Sequence, residues 1–183
     1  MFPYSKVYGN AIPENMCKNI IYMFEMHPEE QEQRDIGGIV RFTEVNINKS
    51  NIWEPLAKNM LEICADYLTT YRKEFKIVDE QFPKKYGLEQ IRIKKYLPND
   101  FDEFKMHVDA DDVDSSKRMV SYLFYLNDVE EGGETTFGVN EDWRIKPKQG
   151  NLLMFPPLWT HPHRGRKPIS GPKYILTTYI NYV

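Results

Sequence analysis

The sequence predicts a mainly β fold, a sandwich or barrel of short strands with helices packed over one face. Three observations lead there. After residue 89, short alternating or wholly apolar runs recur between Gly- and Pro-bearing turns, the pattern of an all-β core. Before it, two stretches carry apolar residues at helical spacing, and the longer must bury its stripe against a second layer. Aromatic residues are plentiful (twelve Tyr, ten Phe, three Trp), which suits strands.

The elements run in chain order. Residues 13–26 read as a helix, with Pro13 and Glu14 in the first turn and Met16, Ile20, Met23 and Phe24 on one side. Residues 28–50 are polar, with a short strand expected at 38–47. The strongest helix spans 52–75, with Ser50 or Asn51 as its cap and Pro55 in its first turn. Its stripe runs Trp53, Leu56, Ala57, Met60, Leu61, Cys64, Tyr67, Leu68, Tyr71, Phe75, which is a buried face. Strands are expected at 90–96, where Ile91 and Ile93 share a side, at 104–109, at 119–126, at 151–155 and at 174–182. The run MVSYLFYL at 119–126 is nearly continuous apolar and aromatic, as for a strand covered on both faces. Residues 31–50 and 98–118 are polar enough to be loops that close over a ligand.

At 183 residues the chain fits one domain, with 1–88 as mostly helical support and 89–183 as the β core. A net charge of −3 and a pI near 5.9 argue against a nucleic-acid or anionic-membrane partner. Cys17 and Cys64 form no CxxC and are too few for a disulfide framework. They read as buried free thiols, which favours a reducing compartment. No basic leader precedes an apolar run, and no run approaches membrane-spanning length. The expected location is the cytoplasm.

Four histidines are present: His27, His107, His161 and His163. On a strand, His107 and Asp109 point to one side and can reach one metal ion together. Two histidines and a carboxylate on one face suit a non-haem Fe(II) oxygenase. Alone, HxD also fits a surface histidine beside the acidic turn of Asp109, Asp111, Asp112 and Asp114. The third ligand is open at this level, since HPH at 161–163 offers two candidates.

The residues downstream of HxD narrow the choice. YLNDVEEGGETTF at 125–137, KPKQGNLLMF at 146–155, the HPH cluster and Lys173 together resemble the prolyl 4-hydroxylase branch of the 2-oxoglutarate/Fe(II)-dependent oxygenases. The resemblance covers about residues 89–182 and matches the short stand-alone members. It implies a double-stranded β-helix, the cupin-like jelly roll, with the N-terminal helices on one sheet and a catalytic core at 89–183. It implies Fe(II), 2-oxoglutarate and O2 as cofactors, with ascorbate as a family expectation. The implied reaction hydroxylates a C–H bond of a peptidyl proline and releases succinate and CO2. The partner implied is a protein or Pro-rich peptide. The same chemistry on a free amino acid, a small molecule or a nucleic acid is the alternative, and a decayed site serving only as a binding module is the third reading.

The resemblance also implies roles. The distal histidine is followed ten positions later by a base that binds 2-oxoglutarate, with glycine two before that base. Lys173 and Gly171 fit His163 in this register. The implied iron ligands are therefore His107, Asp109 and His163, with His161 in a supporting or surface place. A carboxylate at 109 separates the chain from the related halogenases. Lys173 takes the far carboxylate of 2-oxoglutarate, joined by Tyr96 and Tyr125 and by Thr177 on the same strand face. Tyr179 stands where tryptophan is common. On the substrate side, Arg164, Arg166 and Trp159 are candidates, in a basic neighbourhood that includes Lys146, Lys148 and Lys167.

Overall fold

The computed structural model describes residues 2–183. Its elements in chain order are β1 (Lys6–Tyr8), α1 (Glu14–Met26), β2 (Glu32–Ile36), β3 (Val40–Asn46), α2 (Glu54–Glu74), β4 (Tyr86–Leu88), β5 (Arg92–Tyr96), β6 (Phe104–His107), β7 (Arg118–Tyr125), β8 (Thr135–Phe137), β9 (Trp143–Ile145), β10 (Leu152–Phe155), β11 (His163–Gly165) and β12 (Lys173–Tyr182). Neighbouring strands pair antiparallel in the order β1-β10-β7-β12-β5-β3-β6-β11-β8-β9, with β2 on β3 and β4 on β12. The sheet curls so that one face lies inside, giving the double-stranded β-helix core that the resemblance implied.

Two apolar clusters account for the curl. On β7, Tyr122 and Phe124 face the helices while Leu123 and Tyr125 face inward. On β10, Leu152 and Met154 face the helices while Leu153 and Phe155 face inward. Successive strand residues point to opposite sides, so a strand covered on both sides reads as one apolar run. The outer cluster joins these residues to Ile20 and Phe24 of α1 and to Trp53, Met60, Cys64 and Leu68 at and along α2. Full burial of each such side chain is worth about 1.5–3 kcal/mol. Polar ties fix the helices: Tyr122 donates to the Cys64 carbonyl, and Lys95 and Tyr174 both bond Glu25 of α1.

Several expectations change. No side-chain cap from Ser50 or Asn51 opens α2; a 3-10 turn at Asn51–Trp53 leads into it. Leu61 is 55% exposed, because the helix buries a stripe narrower than its apolar residues. The strand expected at 38–47 is β3, and most of the 31–50 segment, also expected as a closing loop, forms the β2–β3 hairpin, turning at Gly37 and Gly38, both at positive φ. Its inner strand β3 joins the sheet between β5 and β6. The N-terminal half thus supplies barrel wall as well as helices. β1, β2, β4, β8, β9 and β11 were not foreseen; five of these span only three residues, too few to show alternation. Among the described residues, no helix is long and apolar enough to cross a membrane.

Candidate metal centre

The antiparallel register of β6 and β11 sets His107 directly opposite His163. Their imidazole centroids lie 4.2 Å apart. Asp109, just past the end of β6, brings Oδ1 to 3.5 Å from His107 Nε2 and 3.7 Å from His163 Nε2. One donor atom from each residue falls within 4.8 Å of the others.

Each imidazole is held by its other nitrogen. His107 Nδ1 lies 2.7 Å from the Lys105 carbonyl, and His163 Nδ1 lies 3.1 Å from the His161 carbonyl. A carbonyl only accepts, so each Nδ1 carries the proton and each Nε2 lone pair faces the cluster. The rings are also wedged: His107 stacks on Phe104, and His163 sits between Phe137 and Phe155.

Burial works against charge throughout the site. For His163 it prevails and lowers the pKa to about 4, leaving a neutral ligand. For Asp109 burial pushes upward but is overcome by the imidazoles of His163 and His107 and the Lys94 ammonium, and the carboxyl stays well below its usual range. Asp109 Oδ2 is buried with no hydrogen-bond partner. A buried carboxylate with Oδ1 beside two Nε2 lone pairs and Oδ2 without a donor fits a divalent cation. The other oxygen, Oδ1, accepts from the Tyr179 hydroxyl at 3.1 Å. Arg118 adds a hydrogen bond to the Asp109 carbonyl at 2.6 Å and lies 4.1 Å over the Tyr179 ring.

Two adjoining spaces meet at this cluster. The inner cleft runs to Lys173, past Tyr96, Thr135, Ile175 and Thr177. Lys173 is 2% exposed. Burial lowers its pKa to about 7, with Glu134 opposing weakly. Its ammonium lies 5.5 Å from the Tyr96 ring and 5.9 Å from the Tyr125 ring. The double glycine of the 125–137 segment shapes this end. Gly132 has φ +74°, and a Cβ there would fall 2.5 Å from the Lys167 carbonyl, while Gly133 packs on the Lys173 stem. The outer cavity, about 420 Å³, opens beyond His107 and Asp109 and is walled by Arg34, Ile36, Phe42, Arg92 and Lys94.

The structure thus gathers His107, Asp109, His163, Lys173, Tyr96 and Thr177 around one cleft. The Tyr125 hydroxyl turns to Thr135 at 2.8 Å, and its ring flanks Lys173. His161 is buried, not at the surface. Its Nε2 bonds the Pro3 carbonyl at 2.6 Å and its Nδ1 lies by Thr160, so neither nitrogen is turned to the metal cluster. The substrate-side candidates are not brought to the cavity wall. Arg164 pairs with Glu103 and Glu141, and Arg166 with Glu141. Trp159 is 81% exposed and lines neither space. The wall instead carries Arg92 and Lys94, which the sequence pattern does not single out. They alternate with Ile91 and Ile93, and that polar face turns into the barrel.

The chain is also similar to known proteins. The family model described as the 2OG-Fe(II) oxygenase superfamily matches residues 91–181. A putative prolyl 4-hydroxylase of Acanthamoeba polyphaga mimivirus is 27% identical over 94% of this chain and 73% of its own length. A probable prolyl 4-hydroxylase of Arabidopsis thaliana is 33% identical over 36% of this chain, a match spanning 30% of the plant protein. Among solved structures, a Trichoplax adhaerens prolyl hydroxylase in complex with a hypoxia-inducible factor oxygen-degradation-domain peptide superposes with a TM-score of 0.70, at 17% identity, over 97% of this chain and 83% of that one.

Proposed function

The chain belongs to the 2-oxoglutarate/Fe(II) oxygenase superfamily, and on that premise we propose that it hydroxylates a prolyl C–H bond in a peptide, with release of succinate and CO2. The observation that carries this reading is a single cleft with the His107–Asp109–His163 cluster at one end and a buried lysine at the other. Fe(II) held by the three side chains would supply the oxidation, in which 2-oxoglutarate and O2 yield succinate, CO2 and one oxygen atom for the C–H bond.

The chain's own residues set the arrangement. His107 and His163 offer neutral imidazoles fixed in tautomer by backbone carbonyls. The Tyr179 hydroxyl holds the Asp109 carboxylate, and Arg118 holds the backbone carbonyl of the same residue. Lys173 offers a cation to the far carboxylate of 2-oxoglutarate at the closed end of the cleft. The rings of Tyr96 and Tyr125 exclude water there, and Thr177 lies between that end and the metal ligands. The acceptor enters from the outer cavity, against the β2–β3 hairpin. The peptide in the Trichoplax complex and the prolyl 4-hydroxylase relatives support a peptidyl acceptor. Ascorbate dependence rests on kinship alone. The two buried free thiols, Cys17 and Cys64, support a cytoplasmic location.

The test is a panel of Pro-containing peptides incubated with protein, Fe(II), 2-oxoglutarate and air. The reading expects succinate in step with a mass gain of ~16 Da at proline, as insertion of one oxygen requires. Succinate stimulated only by acceptors lacking proline would overturn the prolyl assignment and leave the oxygenase chemistry in place.

A further inference from the structure

Lys94 stands at the wall shared by the inner cleft and the outer cavity, beside His107, Asp109 and Thr177. β5 puts it there, since Arg92, Lys94 and Tyr96 alternate inward while Ile91 and Ile93 turn to the helices. Its cross-strand neighbours are Glu44 on β3 and Ile175 on β12. Glu44 would be the natural counter-ion, but that carboxylate is already engaged. Arg34 Nε donates to it at 2.8 Å, and the Arg92 guanidinium lies 3.9 Å away. Among the described residues Lys94 has no ion pair, and its ammonium lies 4.8 Å from the Phe42 ring centroid. Burial holds its pKa below that of an ordinary lysine.

The ion pairs on this wall leave Lys94 out. Arg34 pairs with both Glu44 and Glu32, at 2.8 and 3.3 Å, and Asp111 lines the outer cavity without an ion pair to Lys94. Arg92 shares Glu89 at 3.4 Å, but Glu89 already holds the Arg118 guanidinium through two bonds. Asp109 is not its partner, because a carboxylate that ligates a cation has its charge offset by that cation. The unpaired Lys94 ammonium, with free N–H donors, therefore lies next to the metal ligands. It lies on the side away from Lys173.

We propose that Lys94, with Arg92 and Arg34 toward the rim, forms a carboxylate-binding subsite that selects the acceptor. The substrate presents a carboxylate within a few bonds of the carbon that reacts. This rests on the reading of the outer cavity as the acceptor site. Two sources supply that chemistry: an acidic side chain beside the target residue of a peptide, or the α-carboxylate of a chain end or free amino acid.

The test uses protein loaded anaerobically with Fe(II) and 2-oxoglutarate, titrated calorimetrically with matched ligands. One pair is a capped Pro-Glu peptide and its Pro-Gln twin; the other is acetyl-Gly-Pro as free acid and as amide. In at least one pair the acid binds about tenfold tighter or more, the worth of one charge-assisted hydrogen bond. Lys94→Met keeps the apolar stem and erases the preference; Lys94→Arg preserves it; 2-oxoglutarate affinity is unchanged in both. Lys94→Gln serves if the methionine variant does not fold. Equal affinity within both pairs, a preference that survives in Lys94→Met, or no binding by either acid would overturn the subsite. Loss of 2-oxoglutarate affinity in Lys94→Met would also overturn it, by assigning Lys94 to the cosubstrate. Admitting air then tests the prolyl reading separately. An acid preference without mass gain at proline keeps the subsite and removes proline; mass gain without preference does the reverse.

Discussion

The two faces of β12 divide the molecule's work. Tyr174, Leu176 and Ile180 point to the helices and join the outer apolar cluster. Lys173, Ile175, Thr177 and Tyr179 point inward and line the cleft. One face is built of groups that gain from burial, and the other buries an ammonium and two hydroxyls, which lose by it. The difference teaches where stability and function part. The outer face holds the fold together, and the inner face keeps unmatched polar groups in place for ligands that match them.

The sharpest way to break this division is at the metal ligands. His163→Ala removes one of three donors, and Fe(II) binding measured by anaerobic calorimetry should fall below detection. His161→Ala should keep Fe(II) binding and instead lose about 1 kcal/mol or more of stability, because its bond to the Pro3 carbonyl is a buried structural contact. The reverse pattern would move the third ligand to His161.

On the helix-facing side, Leu176→Ala should cost about 2–5 kcal/mol of stability in denaturant unfolding, with 2-oxoglutarate affinity unchanged. A loss of affinity without a loss of stability would erase the division between the faces. On the inner side, Lys173→Met should do the opposite. Affinity for 2-oxoglutarate falls about tenfold to a hundredfold, the range for a charge-assisted bond, while the empty protein is no less stable. The same group sets a pH dependence. Its folded pKa lies at about 7 against 10.5 for a free lysine, so between those values the unfolded chain binds more protons than the folded one. Stability from this group therefore rises with pH above about 7. Over the same window 2-oxoglutarate affinity falls, because the ligand needs the ammonium. Both slopes should flatten in Lys173→Met when unfolding and ligand titrations are repeated from pH 6 to 9.

The smallest expected change is at Tyr179→Phe, which removes only the hydroxyl bonded to Asp109 Oδ1. Loss of such a supporting bond weakens metal affinity by about tenfold or more. Competition with a metal chelator would show it, and an unchanged affinity would mean that the Tyr179 hydroxyl does not orient the carboxylate.

The same two faces explain how much was legible in the sequence. The helices and the long strands β7 and β12 were readable because their apolar residues recur over many positions. His107 and Asp109 were readable as a pair because two residues on a strand share a side. His163 was separable from His161 only through the spacing to Lys173, since both histidines are buried and only tertiary pairing turns one of them inward. Arg92 and Lys94 were hidden by a rule that works for open sheets, where the polar half of an alternating strand meets solvent. In a curled sheet that half meets the interior. Arg164 and Arg166 lie outside both spaces for the opposite reason. They are close in sequence to the histidine, but Glu103, Glu134 and Glu141, distant in sequence, fold over them.

The most direct measurement is anaerobic spectroscopy. Fe(II) and then 2-oxoglutarate are added to wild type, His161→Ala and His163→Ala, and the visible band that a keto acid gives on binding Fe(II) is recorded. The account predicts the band in wild type and His161→Ala and its loss in His163→Ala. No band in wild type, or a band that survives in His163→Ala and vanishes in His161→Ala, would contradict it.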